Sequence, residues 1–148
     1  MHPEELKEIE WPECDSVSYM DAMVFSDGNN VYLLYPCQNE VATVCVSFIY
    51  PWSVKYGSPN DEVIDAHPYK ILGLQLGSAY IVLHSKWKSE LEEINATHSQ
   101  YDEAHWKELK HYVFMFKDYM FECVALKYNY EVIACSLTET IKQKIEEI

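Results

Sequence analysis

The chain has 148 residues, 49% of them hydrophobic, which suits one folded domain with a core and excludes a disordered protein. Its 24 acidic and 11 basic residues give a net charge of −13, and every basic residue is a lysine. Nucleic acids and anionic membranes are bound by basic surfaces, usually with arginine, so this composition argues against both as partners. It suits a basic protein partner, a metal cation, or simply a charge that keeps the protein in solution.

The compartment is predicted from two features of the sequence. The N-terminus is acidic and lacks the basic start and apolar centre of a signal peptide, and no apolar run approaches the roughly 20 residues of a membrane helix. Five cysteines, an odd number with no short-range pairing, indicate reduced thiols rather than a disulfide framework. We therefore expect a cytoplasmic protein.

Strand-forming residues dominate the first third of the chain. Residues 3–9 predict a short helix that ends at Trp11-Pro12. A hairpin follows, with strands at 17–25 and 31–35 around the turn-forming segment 26–30. Residues 41–50 are apolar on both faces and predict a central strand that Pro51 closes. A polar loop is then expected over residues 51–69.

The second half alternates between strands and helices. Residues 79–83 predict a strand, and Ser85 is expected to cap a helix that buries Trp87, Leu91, Ile94 and His98. The remaining expected elements are a second short helix at 101–110, a hairpin at 111–116 and 120–125, a strand at 130–135 and a helix from 137.

The hairpin of residues 111–125 gives the clearest face assignment. Period-two alternation places one aromatic set on a core face, comprising Tyr112, Phe114, Phe116, Phe121, Cys123 and Ala125. The opposite face is mixed and carries His111, Val113, Met115, Glu122 and Val124. This arrangement requires that the numbers of any two residues facing each other across the two strands sum to an odd number.

Strands joined mainly by hairpins, with two or three helices, predict an α+β protein. We expect a single antiparallel β-sheet built from hairpins with the helices packed on one face, forming one domain over residues 1–148. The sequence contains no strand–helix–strand series with a glycine-rich turn, which argues against a doubly wound nucleotide-binding fold.

Residues 57–125 carry a set of short motifs. They are Gly57-x-Pro59-Asn60-Asp61-Glu62 followed by His67-Pro68, Ser85-x-Trp87 with Leu91, Asn95-x-x-His98, and His111-x-x-Phe114-x-Phe116-x-Asp118-x-x-Phe121-Glu122-Cys123-x-Ala125. This pattern is similar to that of a set of small bacterial proteins with no established activity. The resemblance therefore implies no role for any residue and only marks residues 57–68 and 111–125 as the stretches that are alike.

The loop of residues 57–68 is the first candidate site. Its Asn60, Asp61, Glu62 and His67 could form a catalytic acid–base cluster, because a carboxylate beside a histidine supports proton transfer. The alternative is a loop that these polar side chains tie to itself. His98, His111 and Glu122 are candidate binding residues that could approach the loop.

Other chemistry is weaker. The sequence has no HExxH motif and no paired CxxC, so the closed zinc patterns are absent and no metal site is predicted. The sequence does not indicate a cofactor, which is left unknown. Cys123 could be a nucleophile, but the alternation places it on the core face, away from His111.

Two functions from different classes remain open. The first is a module that binds a basic protein, of which a toxin-neutralising immunity protein would be one case; an exposed edge strand or aromatic face could also support a dimer. The second is a small enzyme or ligand-binding domain built around residues 57–68. The two would be separated by whether those side chains line a cleft with His98, His111 or Glu122.

Overall fold

A computed structural model describes residues 2–10, 22–37 and 40–147, with Asp61 described by its backbone alone. The strands are β1 Glu5–Ile9, β2 Met23–Ser26, β3 Val31–Cys37, β4 Ala42–Ile49, β5 Ser53–Gly57, β6 Ala79–Leu83, β7 Lys110–Met115, β8 Met120–Ala125 and β9 Lys127–Ile133. The α-helices are α1 Lys86–Asn95, α2 Glu103–Glu108 and α3 Leu137–Glu146, and 3₁₀ helices span Asp61–Ala66 and Lys70–Leu72.

The described residues form two compact units, the first from residues 2–10 and 50–127 and the second from residues 22–37, 40–49 and 128–147. The first unit contains a five-stranded antiparallel sheet in the order β1-β6-β7-β8-β5. The second contains a four-stranded sheet in the order β2-β3-β4-β9, in which β3 pairs antiparallel with β2 and β4. The expectation of one domain stays a prediction.

The prediction of a single sheet with helices on one face is wrong, because the described strands form two sheets. Hairpin patterns reveal which neighbouring strands pair, but they do not reveal where one sheet ends and another begins. The division depends on pairings between distant segments. In the first unit, Glu5 of β1 pairs with Leu83 of β6, and Ser53 of β5 pairs with Val124 of β8.

Both strands at the edges of the first sheet differ from the predicted elements. The helix expected at residues 3–9 is strand β1, and β5 lies inside the segment expected to be a loop. Leu6 of β1 packs against the core cluster that includes Val82 and Val113, so tertiary packing outweighs the local helix signal. The predicted helix end at Trp11-Pro12 and residues 17–21 of the first predicted strand lie outside the described residues.

Several local predictions are confirmed. Strand β4 is buried on both faces over most of its length, as its apolar pattern predicts. Ser85 caps α1, its Oγ accepting the backbone N–H of Lys88 at 3.0 Å. The predicted helical face of α1 is only partly correct, because Ile94 is 71% exposed and His98 is exposed as well. Trp87 and Leu91 do pack inward.

The hairpin register is as predicted. Lys110 pairs with Ala125 and Phe114 with Phe121, so the residue numbers of each pair sum to an odd number. One face carries the aromatic core, where the rings of Phe114 and Phe121 meet edge to face at 6.0 Å. The other carries His111, Val113 and Met115 of β7 with Glu122 and Val124 of β8.

This second face supports two hydrophobic clusters. Val113, Met115 and Met120 contact Val82 and Leu74, with Ile64 and Tyr69 packed over them. Val124 belongs to a separate cluster whose other members are Trp106 and Leu109 and whose edge is formed by Trp87, Leu91, Tyr101 and Leu126. Because Val113 is opposite Glu122 and His111 is opposite Val124, two polar residues lie between the two clusters.

Cysteine oxidation differs from the expectation. Cys37 is disulfide-bonded, whereas Cys45, Cys123 and Cys135 are free thiols. The expectation that all the cysteines are reduced is therefore wrong for Cys37. Disulfides are typical of oxidising compartments, so a cytoplasmic location stays a prediction. In the described part of the chain, no helix is both long enough and apolar enough to cross a membrane.

The free thiols should differ in their reaction with a thiolate-directed reagent. Burial raises the pKa of Cys123 to about 12 and also raises the pKa of Cys45, so we expect both to react slowly in the folded protein. Cys135 is partly exposed and should react first. Mass spectrometry of the labelled protein, native and denatured without reductant, measures this order. Labelling of Cys37 in the unreduced denatured chain would contradict its disulfide.

Candidate functional site

Hydrogen bonds link three side chains of the first unit in a row. The Oγ of Ser85 lies 2.6 Å from Nδ1 of His111, and Nε2 of His111 lies 2.8 Å from Oε1 of Glu122. His111 is fully buried, Ser85 is buried, and the side chain of Glu122 is 13% exposed. Burying such groups is costly unless their hydrogen bonds are made, and here both nitrogens of the imidazole are satisfied.

The strand register explains why these side chains meet. His111 and Glu122 are diagonal neighbours on one face of the β7–β8 pair, within reach of long side chains. Ser85 follows β6 by two residues, and β6 pairs with β7 so that Val82 is opposite His111. The cap of α1 is thereby held beside the imidazole ring.

The protonation pattern follows from the donors present. An ionised Glu122 can only accept, so Nε2–H of His111 donates to it. In the neutral imidazole, Nδ1 then accepts the hydroxyl proton of Ser85, whose oxygen accepts the N–H of Lys88. The hydrogen bonds from Ser85 to His111 and from His111 to Glu122 hold the Glu122 carboxylate in one orientation.

Glu122 forms part of the floor of an open cleft of about 380 Å³. Its other lining residues are Glu4, Lys55, His67, Pro68, Tyr69, Lys86, Trp87 and Glu90. Lys55 is directly opposite Glu122 on β5, and its Nζ lies 4.2 Å from the centroid of the Trp87 ring. The cleft therefore presents a carboxylate and an ammonium side by side, with an aromatic wall.

His67 brings an imidazole to this cleft from the loop of residues 57–68. Its Nδ1 accepts the backbone N–H of Tyr69 at 2.9 Å, which leaves Nε2 as the protonated nitrogen in the neutral ring. Burial lowers the pKa of His67, although the negative charge of Glu122 opposes the shift. A neutral His67 is therefore available as an N–H donor beside the carboxylate of Glu122.

Tyr69 connects the cleft to the N-terminal strand region. Its hydroxyl donates to Oε2 of Glu4 at 3.5 Å, and the same oxygen accepts the backbone N–H of Lys86 at 3.0 Å. Burial and the charges of Glu4 and Glu122 raise the pKa of Tyr69 well above its usual value. Tyr69 thus stays protonated and acts as a donor.

The other predicted site residues do not join this cluster. Asn60 precedes the first 3₁₀ helix and makes no side-chain cap, its carbonyl accepting the N–H of Val63. Glu62 is exposed, and the side chain of Asp61 is not described. His98 is exposed in the turn after α1, where its Nδ1 accepts the N–H of Gln100. Of the seven predicted residues, the structure brings His67, His111 and Glu122 together.

Four contributors were not identified from the sequence: Lys55, Tyr69, Ser85 as a partner of His111, and Trp87 as the wall of the cleft. Trp87 packs edge-on against His111 at 4.9 Å between ring centroids. The one available signal was the co-occurrence of Ser85-x-Trp87 with the two longer motifs. Lys55 belongs to none of these motifs, and the segment that contains it was predicted to be a loop.

The described residues show no arrangement suited to metal binding or to cysteine catalysis. Within residues 2–10, 22–37 and 40–147, no group of three or more histidine, cysteine, aspartate or glutamate residues could hold a metal ion. Cys123 is buried on the aromatic face of β8, opposite to the face that carries His111. Comparisons with protein-family models, curated proteins and solved structures find no match for this chain.

His67 provides a test of this electrostatic environment. Its pKa in the folded protein lies below the unfolded value of 6.5, so the folded state binds this proton less readily. The stability that neutral His67 contributes is therefore present above pH 6.5 and is lost as the pH falls through the folded pKa. We expect His67→Gln to reduce the fall in the free energy of unfolding over this range.

Urea unfolding at a series of pH values measures this effect, and nitrogen-detected NMR of the imidazole gives the pKa and tautomer directly. The matched control is His98→Gln, which removes an exposed imidazole whose Nδ1 also accepts a backbone N–H. A His67 ring that titrates above 6.5, or that carries its proton on Nδ1 when neutral, would contradict the description.

Proposed function

We propose that the cleft around Glu122 binds a small polar molecule and that Glu122 exchanges a proton with it. The observation that carries the proposal is the orientation of the Glu122 carboxylate by the fully buried His111, at 2.8 Å, on the floor of an open cleft. Oε1 of the carboxylate is occupied by His111, and the second oxygen is the one that a ligand would meet.

The groups around Glu122 define the kind of ligand. Nε2–H of His67 and the ammonium of Lys55 are donors that suit an oxygen acquiring negative charge, while Glu122 suits a proton on a neighbouring atom. A ligand with a carbonyl or hydroxyl oxygen next to an acidic C–H, N–H or O–H bond meets both requirements. This points to proton abstraction or binding of such a molecule. No cofactor is needed for it.

Support also comes from the two resembling stretches of the sequence. His67 belongs to the first stretch, and His111 and Glu122 belong to the second, although more than 40 residues separate them. Trp87, from the motif between them, forms the cleft wall. If the resemblance reflects a shared role, that role is expected at this cleft.

A screen of small polar metabolites by ligand-observed NMR tests the proposal. For each ligand that binds, loss of its C–H signals in D2O reports proton abstraction. We expect Glu122→Gln to abolish this exchange and to weaken binding, because the amide removes the base but keeps the size of the side chain. The matched control Glu93→Gln changes an exposed glutamate outside the cleft and should behave as the wild type.

The outcome that would overturn the proposal is equally specific. Ligands that bind without shifting the Trp87 indole signal, or whose binding is the same in Glu122→Gln, would place the site elsewhere. A complete absence of ligands in the screen would favour the second candidate.

The second candidate is binding of a basic protein, as in an immunity protein. It is favoured by the net charge of −13 and by Tyr50 and Trp52, which are 66% and 44% exposed in the first unit. A partner whose affinity falls with salt and with Trp52→Ala would support it. A salt-independent affinity would count against it, and sedimentation equilibrium would reveal a second copy of the chain as the partner.

A further inference from the structure

A second cleft lies on the other side of His111 and carries the opposite charge. Its volume is about 410 Å³, and Lys7, Lys88, Lys107 and Lys110 line it together with His84 and Ser85. Glu92 is the one acidic residue among its lining residues. An adjacent cleft shares Lys107 and Lys110 and adds Lys127 and Glu108.

The concentration of lysine here is unusual for this chain. The two clefts hold five of its eleven lysines and two of its 24 acidic residues, so their formal charge is +3 against −13 for the whole protein. Like charges repel, so a set of lysines around one concave surface is unfavourable unless an anion neutralises it. In an acidic chain, this surface is where an anion would be attracted.

Two features distinguish the cleft lined by Lys7, Lys88, Lys107 and Lys110 from a merely charged surface. Lys88 is partly buried, and burial lowers its pKa while Glu92 opposes the shift, so the ammonium is incompletely compensated. His84 has a left-handed backbone with φ of +57°, a costly conformation for this residue that directs the chain into the cap of α1. Such outliers are common beside ligand sites.

The available donors are ammonium groups rather than the start of α1. The backbone N–H of Lys86 already donates to Glu4, and that of Lys88 already donates to Ser85. The carboxylate of Glu92 is engaged by the hydroxyl of Tyr101, which reduces its competition for the lysines. Lys107 pairs with Glu103 at 3.6 Å, but both side chains are mostly exposed and the pair is weak.

We propose that the cleft formed by Lys7, Lys88, Lys107 and Lys110 binds a small molecule through its phosphate group. Several point charges around one cavity match a dianionic group better than a single carboxylate, and lysine is an established phosphate ligand. The cavity volume suits a small molecule, and the net charge of −13 opposes a long nucleic acid. The proposal is independent of the function assigned to the Glu122 cleft.

An NMR titration of the whole chain with inorganic phosphate at constant ionic strength, balanced with chloride, tests this site. We expect saturable shifts of the Lys88 and Lys110 amides, and of the His111 ring, which lines the same cleft. Lys88→Gln with Lys110→Gln should raise the dissociation constant about 3- to 10-fold. The charge-matched control is Lys70→Gln with Lys142→Gln, both outside the cleft, which should leave it unchanged.

If the Lys88 variant does not fold, Lys7→Gln with Lys110→Gln replaces two exposed lysines and tests the same prediction. Shifts that do not saturate, that spread over lysines outside the cleft, or that are equal in both double variants would overturn the proposal. A short single-stranded DNA that binds more tightly than inorganic phosphate would overturn the small-molecule assignment. These readouts do not involve Glu122→Gln, so the two proposals can fail separately.

Discussion

Replacing His111 with leucine is expected to lower the free energy of unfolding by about 3 kcal/mol, although leucine fills much of the same volume. The substitution removes both hydrogen bonds of a fully buried ring. Glu122 would keep a mostly buried charge with no donor from β7, and the hydroxyl of Ser85 would lose His111 as its acceptor while its oxygen still accepts the N–H of Lys88. Urea unfolding at neutral pH, followed by tryptophan fluorescence, measures the change.

A second substitution separates the lost hydrogen bonds from altered packing. If the unpaired carboxylate causes the loss, His111→Leu with Glu122→Leu should be more stable than His111→Leu alone. The matched control is His105→Leu, which removes a partly exposed imidazole that accepts one hydrogen bond from Trp52 at 3.2 Å. We expect it to cost less than about 1 kcal/mol. A His111→Leu protein as stable as the wild type would show that the hydrogen bonds of His111 to Ser85 and Glu122 do not stabilise the fold.

The faces of the β7–β8 hairpin could be predicted because they depend only on local alternation. Side chains two residues apart share a face, so Phe114 and Phe121 fall on the core side and His111 and Glu122 fall on the other. The turn at residues 117–119 then fixes the register. Two of the three residues at the centre of the site were therefore identified, together with the face they share.

The convergence of the remaining site residues could not be predicted in the same way. Ser85 was recognised as a helix cap from its position before α1, but its contact with His111 depends on the pairing of β6 with β7. Lys55 lies opposite Glu122 because β5 pairs with β8 across a long segment of chain. Such pairings are set by burial of the whole sheet face, and no pattern within a short window contains them.

Exposure explains why the loop of residues 57–68 contributes less than its composition suggests. Glu62 and Asp65 lie on a 3₁₀ helix whose apolar side, through Ile64, covers the sheet. Asp65 pairs with Lys70 at 3.4 Å, with the Asp65 side chain largely exposed. The acidic residues thus solubilise the outer side of the loop, while His67 at its end is turned to the cleft.

The arrangement of the first unit also accounts for two oppositely charged clefts around one buried ring. Ser85 and His111 line the basic cleft, and Glu122, which His111 orients, lines the other. A ligand in either cleft would act on the same three hydrogen-bonded side chains. The stability of these hydrogen bonds depends in turn on the helices that hold Ser85 and Trp87 against the sheet.

Replacing Trp106 with alanine is therefore expected to have an effect at least as large as the loss of His111, about 3 to 5 kcal/mol. Trp106 of α2 is 1% exposed and forms one cluster with Leu109 and Val124, against which Trp87 packs. Its Nε1–H also donates to Oδ1 of Asn95 at 3.0 Å, which joins α2 to the end of α1. Urea unfolding measures the loss of this packing.

Two comparisons distinguish packing from the hydrogen bond and from nonspecific effects. Trp106→Phe keeps most of the apolar surface and should cost about 1 kcal/mol more than the loss of volume alone, because Asn95 loses its donor. Trp52→Ala removes a tryptophan that is 44% exposed and whose ring contacts Trp106 at 4.8 Å, and should cost far less than Trp106→Ala. Since Trp87 connects this cluster to His111, Trp106→Ala should also shift the Trp87 indole and His111 ring signals under native conditions. Unchanged signals, or equal losses for Trp52→Ala and Trp106→Ala, would mean that α2 does not hold the site in place.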